Sequence, residues 1–260
     1  MIAVLPYVTH PKTAVLGRAG GGKMNYILRL CVKSFSHLGE NEIKCWNEEN
    51  SDIYEHEAIR FLVEKKDWAF VSDYVRLKVL YEHGGIYFDT DIQVIKPLPK
   101  EFYEADMIVG YAYDCIMSTA FIMVRSHHPF IKYLLDILEG HLKAGEKVVN
   151  NGYFTQAFLD YYPNFKLDGK YREFAKGCFV YPRNYFDSAT FDRNAGYCIH
   201  HGMGTWHNPS TLKRLVRPFV KLLRFYVKPF GVWYQNRVND KMVDNAGVFK
   251  EIYLKNIGKE

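Results

Sequence analysis

The chain has 260 residues and a formal net charge of +5, long enough to bury a sizeable core as one large domain or a domain with an appendage. Its five cysteines, Cys31, Cys45, Cys115, Cys178 and Cys198, are odd in number and scattered without zinc-ligand spacing, which argues against a metal cage and reads as reduced thiols in a cytoplasmic setting. No apolar run reaches membrane-spanning length and no charged-then-apolar leader opens the chain, so a soluble or peripheral protein is expected.

In chain order, MIAVLPYV reads as a first strand. Gly20, Gly21 and Gly22 then precede Lys23, but Met24 stands where a phosphate loop needs Ser or Thr, so a turn is expected there. Asn25 to Leu38 looks helical, Glu42 to Trp46 extended, and Ala58 to Lys66 helical again. The next helix carries Val71, Tyr74, Val75, Leu80 and Tyr81 on roughly one face, with capping chemistry from Ser72 and Asp73. Gly84 and Gly85 stop it. Ile86, Tyr87 and Phe88 then form a short buried strand that delivers Asp89, Thr90 and Asp91 to its carboxyl end, the edge where ligands sit in open α/β sheets. Two carboxylates there are hard ligands for Mg²⁺ or Mn²⁺, which neutralise a diphosphate; taken alone, the triplet reads better as a solvated acidic turn.

Strands are expected at Ile92 to Pro97, Asp106 to Gly110 and Ile116 to Val124, the last interrupted by Ser118 and Thr119. Ser126 and Pro129 begin a helix to about Leu142, with His127 and His128 as exposed residues of its cap and not ligands. Asn150, Asn151 and Gly152 lead into a helix over Tyr153 to Tyr161. A second chemical cluster is CIHHGMGTWH, Cys198 to His207, where a short strand ends in His200 and His201, and neutral imidazole is a good ligand for Mn²⁺. From Thr211 to Arg237 the chain carries seven cations and no acid, leaving −2 for the remainder. Lys213, Arg217, Lys221, Arg224 and Lys228 share one helical stripe among apolar residues, with Pro218 and Pro229 kinking or dividing it. That pattern suits a basic amphipathic helix on anionic lipid; a core-packed helix with snorkelling cations is the alternative, and the apolar content argues against nucleic acid. Asn239 to Glu260 reads as a polar tail with a further helix.

The run S-D-Y-x-R-x-x-x-L-Y-x-x-G-G-I-Y-x-D-T-D over residues 72–91 resembles the sugar-binding DXD region of glycosyltransferase family 32, which includes capsular-polysaccharide sugar transferases. W-N-E-x-N from Trp46 and I-H-H-x-x-x-T-W from Ile199 to Trp206 resemble two further family elements, with Thr205 in the usual serine position. The resemblance implies an α/β fold of GT-A type: a mixed, mostly parallel sheet flanked by helices over residues 1–210, followed by a basic helical appendage over 211–260. It implies a retaining, Mn²⁺- or Mg²⁺-dependent transfer of a sugar from a nucleotide-diphosphate sugar to a saccharide or lipid-linked saccharide acceptor, in surface polysaccharide synthesis. Asp91 with His200 or His201 would hold the metal. Asp89 would bind the ribose or donor sugar and assist metal placement, while Asp73 and Arg76 would orient the sugar ring. The histidine not on the metal would bond the diphosphate, and His200 is counted among the nucleotide-binding residues. Trp206 would cover the nucleotide, and Trp46 would stack on the base or line the donor pocket unless it is a core aromatic. The expected location is cytoplasmic, peripheral on the inner face of the plasma membrane through 211–237. A glycosidase using Asp89 and Asp91 as its acid/base pair, and a carbohydrate-binding module without turnover, are the competing readings.

Overall fold

The structure is a computed structural model, and it describes residues 2–5, 14–15, 26–39, 43–46, 57–65, 67–144, 146, 150–188, 196–202, 216, 219–220, 223–224 and 227–259. The Gly20–Gly22 loop, Asn47, Glu48 and Asn50, Thr205 and Trp206, and Lys213, Arg217 and Lys221 of the basic stripe lie outside the described residues.

The strands are β1 (Ile2–Leu5), β2 (Ala14–Val15), β3 (Ile43–Trp46), β4 (Gly85–Asp89), β5 (Ile92–Val94), β6 (Met107–Tyr113), β7 (Ile116–Val124), β8 (Arg172–Ala175), β9 (Cys178–Tyr181) and β10 (Cys198–His200). The helices are α1 (Tyr26–Ser34), α2 (Glu57–Glu64), α3 (Trp68–His83), α4 (Pro129–Lys143), α5 (Asn150–Tyr161), α6 (Arg183–Phe186), α7 (Lys228–Asp244) and α8 (Val248–Asn256). An eight-stranded sheet runs β2-β3-β1-β4-β7-β6-β9-β8, and β10 pairs with β5 in a second, two-stranded sheet.

Alternation along the central strands gives the sheet two buried faces. Tyr87, Met107, Val109, Ile122 and Val124 point to one side, into a core shared with Val75, Leu80, Phe130, Leu134 and Phe158 of the helices. Ile86, Phe88, Ile108, Phe121 and Met123 point to the other, where Phe35, Ile92, Phe186 and Cys198 cover them. The expected α/β class therefore holds, with helices on the sheet.

The balance of strand directions corrects the expectation of a mostly parallel sheet. Among the described pairings only β2–β3 and β6–β9 are parallel, and the rest are antiparallel. The physical reason is connection length: β6 and β7 are joined across Asp114 and Cys115 alone, too few residues for a parallel crossover. Segments 172–175 and 178–181 were not anticipated as strands, and Lys228–Asp244 is one helix across the expected divide between the basic segment and the polar tail.

Pro229 sits in the first turn of α7, where its missing N–H costs nothing. Val243 of α7 belongs to the main core, and Phe249, Ile252 and Tyr253 of α8 lie against it. Asn239, only 5% exposed, accepts from the Asp114 amide at 2.9 Å and donates to the Asp114 carboxylate at 3.0 Å, pinning α7 to the β6–β7 turn. Arg183 adds bonds to Asp114 at 3.1 Å and to Asn236 at 2.8 Å.

Candidate active site

Gly84 ends α3 at φ +65°, with its N–H bonded to Leu80 O at 2.9 Å, so the chain reverses tightly into β4. A Cβ at this position would stand 2.5 Å from the Ser126 backbone nitrogen, so only glycine fits without displacement. The turn brings the buried face of α3 over β4, and one side chain joins the two. Arg76, 5% exposed, donates to Asp73 at 2.7 Å and to Thr119 O at 3.0 Å, and lies 3.8 Å from Asp89. Its guanidinium rests over the Tyr87 ring, 4.2 Å from the centroid, and the Tyr87 hydroxyl donates to Asp89. Asp73 and Arg76 therefore do not form a surface pair; they line a small recess with Thr119, Tyr153 and apolar side chains such as Leu77 and Phe154. Burial pushes the Asp73 carboxyl up to about 6, against the lowering influence of Arg76, with Asp89 adding to the rise. Burial also raises the Tyr87 phenol well above its ordinary value, which keeps it a proton donor toward Asp89.

The histidines arrive by pairing. β10 lies antiparallel to β5 with His200 opposite Ile92, and the His201 amide donates to Asp91 O at 2.9 Å. Residues more than a hundred positions apart thereby meet beside the acidic triplet. His200 Nε2 lies 3.2 Å from Asp91 Oδ1, and its Nδ1 lies 3.3 Å from Asp187 Oδ2. Burial disfavours the imidazolium, but Asp187 and Asp91 outweigh it and hold the His200 pKa well above its ordinary value. His201 turns the other way, its Nε2 3.0 Å from Gln93 Oε1.

Asp89, Asp91 and His200 each offer one ligand atom, and these atoms lie within 4.8 Å of one another. Two carboxylate oxygens and an imidazole, partly buried and convergent, form a donor set that fits Mn²⁺, and Mg²⁺ less well because it favours all-oxygen shells. His201 is not part of that group, so of the two expected imidazoles only His200 stands with the acids.

Trp46 is 9% exposed and stacks on His83 with centroids 5.1 Å apart. Trp46 and Asp89 both pair with Ile2, from opposite sides, so one strand separates them at the same sheet edge, a distance of about 10 Å. His128 caps α4, its Nδ1 accepting from the Phe130 amide at 3.2 Å, as the proline placement had suggested.

Several participants were not singled out in the sequence as site residues: Tyr87, Gln93 and Asp187. Ser118 donates to Asp187 at 2.7 Å, while Thr119 accepts from Arg76 through its carbonyl and donates from its hydroxyl to Asn151 at 2.8 Å. The small polar pair interrupting β7 thus connects both halves of the site, at the irregularity where β7 shifts register against β6. Tyr113, at the end of β6, borders the cluster: burial raises its phenol, Asp187 adds to this, and His200 and Arg224 oppose it. Arg224, from the basic segment, rests over the Tyr234 ring, 4.9 Å from its centroid.

The sequence profile of the "glycosyltransferase sugar-binding region containing DXD motif" matches residues 28–112, the stretch holding Trp46, Asp73, Arg76, Asp89 and Asp91. Over that stretch, about a third of the chain, the sequence is similar to glycosyltransferases that carry a DXD sugar-binding region. A human alpha-1,4-N-acetylglucosaminyltransferase is 34% identical over 68 residues, covering 26% of this chain and 18% of that protein, so the aligned stretch spans under a fifth of the relative's length. Among solved structures, the PaToxG glycosyltransferase superposes with a TM-score of 0.47 at 17% identity, over 62% of this chain and 72% of its own. A glycosyltransferase involved in glycosylating the major capsid of PBCV-1 gives 0.37 at 12% identity, over 75% and 95%. The matched region ends within β6, so β7, α6 and β10, which bring Ser118, Asp187 and His200 to the site, lie beyond the matched stretch.

Proposed function

We propose that the chain is a metal-dependent, retaining glycosyltransferase that moves a sugar from a nucleotide-diphosphate donor to a saccharide or lipid-linked saccharide acceptor, in surface polysaccharide synthesis. The observation that carries the reading is the convergence of Asp89, Asp91 and His200 on one point at the end of β4. A divalent ion held by these three residues would neutralise the diphosphate and lower the cost of leaving-group departure. Asp73 and Arg76 orient the sugar ring: Arg76 is fixed by Thr119 and Tyr87, so its guanidinium needs little reorganisation when a hydroxyl replaces water beside it. Asp89, aligned by Tyr87, accepts from the donor's hydroxyls, and Trp46 lines the base end of the cleft. The nucleotide lid assigned to Trp206 and the diphosphate contact assigned to the His200–His201 pair belong to the same proposal. Retention of configuration follows the family resemblance.

For the basic segment the proposed partner is an anionic membrane surface. Val216, Phe219, Leu223 and Val227 recur at spacings of three and four and are 46%, 69%, 45% and 41% exposed, an outward apolar face beside the sequence's cationic stripe. Trp233, 54% exposed, extends it. Among the described residues no helix is long and apolar enough to cross a membrane. Flotation with phosphatidylserine vesicles tests this; equal recovery with and without the 211–237 cations neutralised ends the lipid assignment.

Turnover of labelled sugar nucleotides, with and without EDTA, tests the transferase. Asp91→Asn should lower the rate by several kcal/mol of barrier, about 100-fold or more. Wild-type turnover by that variant would remove the metal from the account. Metal-independent cleavage of a glycoside would favour a hydrolase, and tight donor binding without product would favour a binding module.

A further inference from the structure

His200 is held from two sides, and only one of them is the acidic triplet. Asp187, directly after α6, receives the His200 amide on its carbonyl at 2.9 Å and faces His200 Nδ1 with its carboxylate at 3.3 Å. The same carboxylate oxygen accepts from Ser118 Oγ at 2.7 Å, and Ser118 is 1% exposed near the start of β7. Asp187 is thus anchored to the rigid sheet and grips the imidazole by main chain and side chain together. A neutral imidazole whose Nδ1–H is committed to a carboxylate would offer its Nε2 lone pair to an ion on the opposite side, where Nε2 lies 3.2 Å from Asp91 Oδ1. A carboxylate behind a ligating histidine fixes its tautomer and ring orientation and makes it a better electron donor.

We infer that Asp187, steadied by Ser118, is the positioning residue that aims His200 at a divalent cation shared with Asp89 and Asp91. The inference rests on the metal reading of those three residues. Asp187 stands outside the family-matched stretch, and neither it nor Ser118 belongs to the group that converges on the ion. Its role is exerted through His200 and not by contact with donor or ion.

The test is Mn²⁺ affinity of the full chain, without any donor, measured by calorimetry or by the loss of the free-Mn²⁺ paramagnetic signal. Asp187→Asn keeps a side chain of the same size but cannot act as the anionic partner of Nδ1–H; it should bind Mn²⁺ about 10- to 100-fold more weakly. Asp187→Glu should recover part of that loss, which a purely structural role would not predict from the larger side chain. Ser118→Ala, which removes one donor to Asp187, should weaken binding by a few-fold, about 2 to 10. It supplies the answer if Asp187→Asn fails to give a native circular-dichroism spectrum. Wild-type affinity in a folded Asp187→Asn protein, or in Ser118→Ala where the former does not fold, overturns the positioning role while leaving the metal reading intact. Absence of Mn²⁺ binding by the wild type overturns both.

Discussion

Replacing Arg76 by methionine isolates what the guanidinium does, since methionine fills much of the same volume without charge. Arg76 lies 2.7 Å from Asp73 and 3.8 Å from Asp89. At an effective dielectric of about 20, unit charges at these separations attract by about 6 and about 4 kcal/mol. Desolvation of the 5% exposed side chain takes back much of that, and Asp89, 30% exposed, is partly screened by water. What remains is the cost of leaving two carboxylates facing each other without a cation, about 3–5 kcal/mol, to which the abandoned Thr119 carbonyl adds about 1. Urea unfolding followed by circular dichroism measures the loss directly. The Asp73→Asn, Arg76→Met double variant should recover at least about 1 kcal/mol, because the neutralised partner no longer stands unpaired. A single-variant loss below about 1 kcal/mol, or additive losses in the cycle, would refute the buried-pair description.

Asp73 makes stability depend on pH. Its carboxyl is raised from 3.8 to about 6 in the folded chain, so the fold holds this proton more tightly than the unfolded state does, and its contribution declines as pH rises through that interval. The stability of Asp73→Asn minus that of wild type should therefore increase by about 2 kcal/mol from about pH 4 to about pH 7, and a flat difference would contradict the shift. Gly84→Ala places a methyl group at φ +65° within 2.5 Å of Ser126 N, and about 3 kcal/mol of lost stability is expected in the same urea assay. An unchanged midpoint would mean the α3–β4 turn is looser than described. Asn239→Ala leaves the Asp114 amide without its acceptor and should cost about 1–3 kcal/mol, lowering Tm by several degrees in a calorimetric scan. No change in Tm would show that α7 is not pinned at this point.

The acidic end of the site could be read from the sequence because its signals are local. A helix period, two glycines, a short apolar run and two aspartates all fall within residues 72–91, and each feature dictates the next. His200 could be suspected from chemistry, but its meeting with Asp91 depends on β10 pairing with β5 across the chain, which no local pattern encodes. Asp187 had no signal at all: an aspartate in YFDSAT carries no spacing relation to Ser118 or His200, and only the fold brings them together. Trp46 illustrates the opposite difficulty. Its sequence context fits both a stacking platform and a core aromatic, and its position, buried against His83 yet one strand from Asp89, shares features of each. Strand direction was also beyond local reading, since Gly85–Asp89 and Ile116–Val124 have the same apolar character whether their partners run with them or against them.

The account stands on a divalent cation at the meeting of β4, β5 and β10. Anomalous diffraction from crystals grown with Mn²⁺ and a nucleoside diphosphate tests it most directly. It predicts a peak bounded by Asp89, Asp91 and His200, with the diphosphate beside it. A chain that turns over donor while its crystals carry no peak there, or carry one elsewhere, would contradict it.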